Sequence, residues 1–329
     1  MDTATPTKRD SKLVADEYDR AVLEALHRFG WLPTRDLSTL IWPRHQGTSC
    51  AKRSLARLRR AGYIAQTATQ VTRGRGGAVI ADRAPDGAVI SVLTEAGAAF
   101  LRANRELPAV PGEHLLPGFA ATYRHRCLSN QFVIDWLKKN AETSGTICTE
   151  YEIATRRSVL NRKDGCDGDK IADAFIVQDA PNSWLAARRR EAEKMGWKFV
   201  PQRWATWIEV ENAYKKAPEQ KKMGRELCRL VGGDVLYPTN QDGVVIGAVL
   251  VLCPDEPTER RLVLTILEAA HGVESDHLNS SDILGRVRVW RKGGEEHRIW
   301  DYIKADPELD ALRFKLGGEQ IARKEKKRR

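Results

Sequence analysis

Residues 204–213 read WATWIEVENA, an apolar and aromatic run that closes on two glutamates one residue apart. The composition is that of a β-strand, and along a strand side chains alternate between faces. Glu209 and Glu211 therefore share one face, while Ile208 and Val210 pack on the other. Two carboxylates about 7 Å apart on one face repel each other unless a cation lies between them.

The flanking segments set this strand in a larger pattern. Upstream are FAATYRHRCLSNQFVIDWLKKN (119–140), a helix with Leu128, Phe132, Val133 and Leu137 inward, then ICTEYEIA (147–154) and KIADAFIVQ (170–178). In the last of these Asp173 stands at the mouth of an apolar strand. Downstream come a helix over about 219–232, the strand DGVVIGAVLVLC (242–253), the helix TERRLVLTILEAAH (258–271) and a last strand, GRVRVWR (285–291). Such alternation predicts an α/β domain with a central mixed sheet, α+β for the chain as a whole. With 329 residues the chain is long enough for two domains.

The N-terminal third reads differently. SKLVADEYDRAVLEALHRFGWL (11–32) carries a helical stripe of Val14, Tyr18, Val22, Ala25 and Leu26, with Gly30 as its stop. PTRDLSTLIW (33–42) predicts a second helix, capped by Thr34, with Leu37, Leu40 and Ile41 inward. GTSCAKRSLARLRRAGYI (47–64) predicts a third, with Leu55 and Leu58 on one face and Lys52, Arg53, Arg57, Arg59 and Arg60 on the others. A strand, the Gly/Arg-rich turn TRGRGGAV (72–79), a second strand and an LTEAG helix follow.

Charge points the same way. The net charge is +10, but residues 1–105 hold 17 Lys and Arg against 10 Asp and Glu, and residues 323–329 hold six against one. Basic ends on a slightly acidic body are a footprint for polyanions. Three helices followed by a basic hairpin, over residues 13–104, resemble the winged helix-turn-helix domains of DNA-binding proteins. That resemblance puts Lys52, Arg53 and Arg57 in the major groove and Arg73 and Arg75 on the wing, against double-stranded DNA. Domains of this kind often act as homodimers on palindromes. RELPAVPGEHLLPG (105–118), with three prolines and two glycines, reads as a linker.

Several chemistries lack their signs. No GxxxxGK[ST] loop, strand-to-helix GxGxxG or HExxH occurs, and the seven histidines are scattered. The six cysteines form no CxxC pair, which suits reduced, mostly buried thiols. No apolar run approaches the roughly 20 residues of a membrane helix, and the start lacks a signal-peptide core, so a cytoplasmic protein with no membrane partner is expected.

Carboxylate chemistry is left. Asp173 on one strand and Glu209-Val210-Glu211 on the next resemble the PD-(D/E)xK nuclease motif, with Ala172 where proline is usual and Glu211 where lysine is usual. Some restriction endonucleases of that fold carry ExE. The resemblance implies that Asp173, Glu209 and Glu211 hold Mg2+ or Mn2+, and that Lys215 or Lys216 supplies the ammonium. Glu150 or Glu152 would be the further upstream acid.

Over residues 15–255 the layout, with its His125–Asn130 helix and Lys221/Lys222 helix, is similar to the replication-relaxation family of plasmids and integrative elements. This implies a DNA nickase in plasmid mobilisation or replication, working with relaxosome or replication proteins. A non-catalytic accessory factor or transcriptional regulator is the other reading. The expected domains are then 13–104, a linker at 105–118, a nuclease-like domain at 119–292 and a C-terminal extension at 293–329 with a basic tail. Between the motif strands, DAPNSWLAARRREAEKMGWKFVPQRW (179–204) interleaves Trp184, Trp197 and Trp204 with Arg188, Arg189 and Arg190. It reads either as a single-stranded DNA contact or as tryptophans closing a core.

Overall fold

The computed structural model describes residues 17–43, 48–67, 84, 86–116, 119–140, 145–155, 157, 172–196, 202–212, 216–231, 244–272, 280–294 and 296–328. The chain divides into two compact units, Met1–Ala141 and Glu142–Arg329. Together they make an α+β protein with one three-stranded antiparallel sheet and one six-stranded mixed sheet.

The first unit runs α1 (Glu17–Phe29), β1 (Trp31–Pro33), α2 (Thr34–Ile41), α3 (Ser49–Arg60), β2 (Ile64–Gln66), β3 (Ile90–Leu93), α4 (Glu95–Arg105) and α5 (Phe119–Lys139). The strands pair in the order β1-β3-β2. Three helices precede the antiparallel β2–β3 pair, as expected, and β1 adds a third, unexpected strand. The stripe of α1 buries Val22, Leu23, Ala25, Leu26 and Phe29, and Gly30, at φ 76°, turns the chain where most side chains would be strained. Tyr18 departs from the expected stripe: it is 48% exposed and stacks on Trp42 instead. Thr34 is the first helical residue of α2 rather than its cap, which falls on Pro33. Leu37 is fully buried, whereas Leu40 and Ile41 are half-buried.

The junction of β3 and α4 explains LTEAG. Thr94 Oγ1 accepts from Gly97 N at 3.1 Å and donates to Gly62 O at 2.7 Å, capping α4 and tying it to the turn after α3. Gly97 is needed because a Cβ there would lie 2.2 Å from Tyr63 O.

The second face of the small sheet sets the unit's extent. Trp31, Ile90 and Val92 project from it and bury against Tyr123 and Cys127 of α5, with Tyr123 stacked on Trp31. Asn130 Nδ2 donates to Trp31 O at 3.4 Å. Helix 119–139, expected to open the second domain, belongs to the first unit. Residues 105–118 are likewise no simple spacer. Gly112 N donates to Leu93 O at 2.8 Å, Arg102 Nη1 donates to Ala109 O at 2.8 Å, and Glu113–Leu115 form a 3-10 turn.

The second unit runs β4 (Thr146–Thr149), α6 (Glu150–Ala154), β5 (Ala174–Asp179), α7 (Asn182–Met195), β6 (Arg203–Val210), α8 (Ala217–Val231) and β7 (Val244–Cys253). It continues with α9 (Glu256–Gly272), α10 (Ser280–Arg286), β8 (Val287–Arg291), β9 (Glu296–Arg298), α11 (Ile299–Ala305) and α12 (Pro307–Arg328). The sheet order is β4-β5-β6-β7-β8-β9. β4, β5 and β6 form an antiparallel meander, β6 to β8 are parallel, and β9 returns antiparallel. All ten residues of β7 are buried, as befits a central parallel strand. Trp207, Val249 and Val251 of the sheet share a core with Leu227 and Cys228 of α8 and Leu262 and Ile266 of α9.

Two expectations change. ICTEYEIA is strand only as far as Thr149; Glu152 then closes a capping box with Thr149 at the start of α6. Glu152 is thus occupied as a helix cap rather than offered as a further acid. Residues beyond 292 are not an appendage, because β9 completes the sheet and Ile299, Ile303 and Leu309 enter its core.

Candidate nucleic-acid interface and acidic cluster

Helix α3 holds Lys52, Arg53, Arg57, Arg59 and Arg60 and no acidic residue. Its inner stripe, Ala51, Ser54, Leu55 and Leu58, is buried, so the helical period leaves Lys52, Arg53, Arg59 and Arg60 exposed. Arg57 behaves otherwise. Its Nε and Nη2 donate to the carboxylate of Asp19 in α1 at 3.0 and 2.7 Å, and Ser54 Oγ also donates to Asp19. Asp19 is fully buried, and a buried carboxylate is tolerable when charge-assisted bonds surround it. Arg57, expected in the groove, therefore clamps α3 to α1. Sequence reasoning missed Asp19, though an acid three residues before Val22, on the apolar stripe of α1, is the signal that it has a buried partner.

Arg73 and Arg75 lie outside the described residues. Just before β3, Asp86 accepts from Tyr123 Oη at 2.7 and 2.8 Å and from Arg35 Nη1 at 2.7 Å. Burial opposes ionisation of Asp86, yet the bonds from Tyr123 and Ala88 N and the Arg35 charge outweigh it and hold its pKa below the ordinary value. Burial, and then the bond to Asp86, push the Tyr123 phenol up. Burial likewise pushes the neighbouring Cys127 thiol up to about 11.

In the second unit, β5 and β6 bring the motif residues into register. Asp173 N donates to Ile208 O at 3.0 Å, extending the ladder by one residue before β5. Its Oδ2 accepts from Val210 N at 2.6 Å. Trp207 Nε1 donates to Glu209 Oε2 at 3.2 Å, so Trp207 and Glu209 lie on the same face, as alternation requires. Glu211 N donates to Leu252 O at 2.8 Å, which carries the strand alignment one residue past β6. All three carboxylates are buried, at 7%, 6% and 2% exposure for Asp173, Glu209 and Glu211.

The carboxylates are thus brought to one end of the β5–β6 pair, where one oxygen of Asp173 is taken by a backbone amide and one of Glu209 by an indole. Among the described residues, no three His, Cys, Asp or Glu side chains stand as a group that could hold a metal ion. The residues described do not by themselves fit the magnesium or manganese site that the motif implies. Lys215 lies outside the described residues. Lys216 is exposed, with its backbone N donating to Glu219 at 3.2 Å.

The Trp/Arg insertion forms α7. Trp184 meets Trp204 edge to face with ring centroids 5.4 Å apart. The ring of Trp204 lies where a Cβ on Gly247 would be, within 2.1 Å. These two tryptophans pack the insertion onto β6 and β7, while Arg189 and Arg190 are exposed. Trp197 and the side chain of Arg188 lie outside the described residues. No described helix is long and apolar enough to cross a membrane.

Set against protein-family models, curated proteins and solved structures, the chain matches none.

Proposed function

We propose that this chain is a DNA-binding protein that docks α3 on duplex DNA. The observation that carries the reading is the outward face of α3: Lys52, Arg53, Arg59 and Arg60 are exposed on the third helix of the first unit, with no acid among them. Cations on such a helix neutralise phosphates and reach base edges in the major groove. The test is binding of the full chain to a pool of random duplexes, compared with a Lys52→Ala/Arg53→Ala variant. Salt-sensitive binding that the variant loses supports the reading; wild-type protein that binds no duplex at low salt overturns it.

A second reading is supported by the burial of Asp173, Glu209 and Glu211 at one end of a meander-plus-crossover sheet. On that reading the chain is a nickase, the second unit cuts DNA that the first unit finds, and the magnesium or manganese ion it uses needs ligands beyond the three described carboxylates. Supercoiled plasmid incubated with either metal turns to open circles if it holds, and Glu209→Gln abolishes the conversion. Work on a mobile element, relaxosome or replication partners and a homodimer are what the sequence resemblance implies, and a cytoplasmic site belongs to the same proposal.

A further inference from the structure

We infer that α11 and α12 of the second unit form a separate contact for single-stranded DNA, with the Phe314 ring as a stacking platform. The inference rests on the proposed function only in choosing DNA over RNA. The inner side of this helix pair is fully committed: Ile299, Ile303 and Leu309 are buried in the core, and Leu312, Leu316 and Trp300 pack against it. Phe314 points elsewhere. It is 66% exposed, the most exposed large hydrophobic side chain among the described residues.

Two cations adjoin it in the chain, Arg313 and Lys315. The Arg313 guanidinium lies 4.1 Å from the Phe314 ring centroid and 4.9 Å from that of Trp300, and Lys304 Nζ lies 4.9 Å from Trp300. Asp310 fixes Arg313 in place, accepting from Nε at 2.9 Å. Lys315 is exposed beside Phe314. From Arg313 to the end of the sequence there are eight Lys and Arg against two Glu.

An exposed ring beside a fixed arginine and an exposed lysine, at the start of a basic run of sequence, matches a ligand that offers both flat apolar faces and a regular row of negative charge. Unpaired bases on a phosphate backbone offer both, and duplex DNA hides the base faces. A lipid surface is the weaker match, since an interfacial helix buries a whole apolar face. Leu309, Leu312 and Leu316 of α12 are turned inward, and the Phe314 ring is left outside.

The experiment is fluorescence anisotropy of the full chain with a labelled oligo-dT of about 20 nucleotides, run beside a duplex and beside phosphatidylserine vesicles. Phe314→Ala is expected to weaken oligo-dT binding about tenfold, the loss typical of one stacked base. Phe314→Trp is expected to restore it, and neither change should alter the thermal midpoint. Lys52→Ala/Arg53→Ala should leave oligo-dT binding within about twofold while weakening the duplex. Should that variant keep full duplex affinity while Phe314→Ala loses oligo-dT, the role of α3 falls and this contact stands. Unchanged oligo-dT binding by Phe314→Ala, or wild-type protein that binds vesicles but not oligo-dT, overturns the inference.

Discussion

Arg57 in α3 grips the fully buried carboxylate of Asp19 in α1 with two nitrogens, at 3.0 and 2.7 Å. On the proposed DNA-binding reading α3 needs a fixed orientation, and this pair supplies it from the same basic run. Position along the helix separates the roles: Arg57 faces α1, and Lys52 and Arg53 face solvent.

Arg57→Ala should cost about 2–4 kcal/mol, because it strands a buried carboxylate. Asp19→Ala should cost less, since the Arg57 side chain is 34% exposed and regains water. The double variant should be less destabilised than the two single costs added together. Urea unfolding checks this, and an Arg57→Ala cost no larger than that of Arg53→Ala would refute the clamp.

Lys52→Ala and Arg53→Ala should each change stability by no more than about 0.5 kcal/mol. Each should lower the slope of log affinity against log salt by about 1 if the residue meets a phosphate. Titrations of duplex at several salt concentrations give that slope; a pair of variants that reproduces the wild-type slope places the DNA elsewhere.

These two variants mark what sequence periodicity could reveal. The 3.6-residue stripe identified α1 and α3 and their buried Leu, and the strand alternation expected around Glu209 is obeyed by its bond from Trp207, two residues before it. Periodicity assigns a face without naming what covers it. Asp19 and Arg57 are distant in sequence, so their pairing was invisible, and Tyr18 left the expected stripe for Trp42. Prolines and glycines in 105–118 suggested a spacer. Local composition carries no record of Gly112 N bonding to Leu93 O, nor of Tyr123 burying Trp31. The acidic motif reads in sequence as a row of metal-holding carboxylates, and nothing in it foretells that Asp173 also accepts from a backbone amide and Glu209 from an indole.

Gly97→Ala should destabilise by about 2 kcal/mol, although alanine is ordinarily the better helix former by about 1 kcal/mol. The new methyl would meet Tyr63 O at 2.2 Å and Leu93 Cδ1 at 2.8 Å. Gly285→Ala in α10 is the control. Nothing lies within 4 Å of its Cβ position, so that change should be neutral or stabilising by up to about 1 kcal/mol. Equal thermal shifts in the two variants would contradict the close approach at Tyr63.

Asp86 predicts a weak acid dependence. Its folded pKa lies below the ordinary 3.8, so its contribution is complete above that value and is lost as pH falls through the lower folded value. The stability gap between wild type and Asp86→Asn should be constant from pH 5 to 7 and close below about pH 4. The side chain is 38% exposed, which keeps the gap small. A gap that widens on acidification would reverse the sign.

Asp173 carries two roles that one substitution can separate. Its Oδ2 accepts from the buried Val210 N at 2.6 Å, so Asp173→Ala strands that amide and should cost about 1–3 kcal/mol. Loss of cleavage in that variant would therefore say little about chemistry. Asp173→Asn keeps an oxygen acceptor and removes only the charge. It should hold Val210 amide exchange near the wild-type rate, whereas alanine should accelerate it. If plasmid nicking is present in wild type and absent from the stable asparagine variant, the charge of Asp173 is needed for cutting. If the asparagine variant nicks as wild type does, Asp173 serves β5 and β6 alone, and the acidic residues that act must be sought elsewhere in the chain.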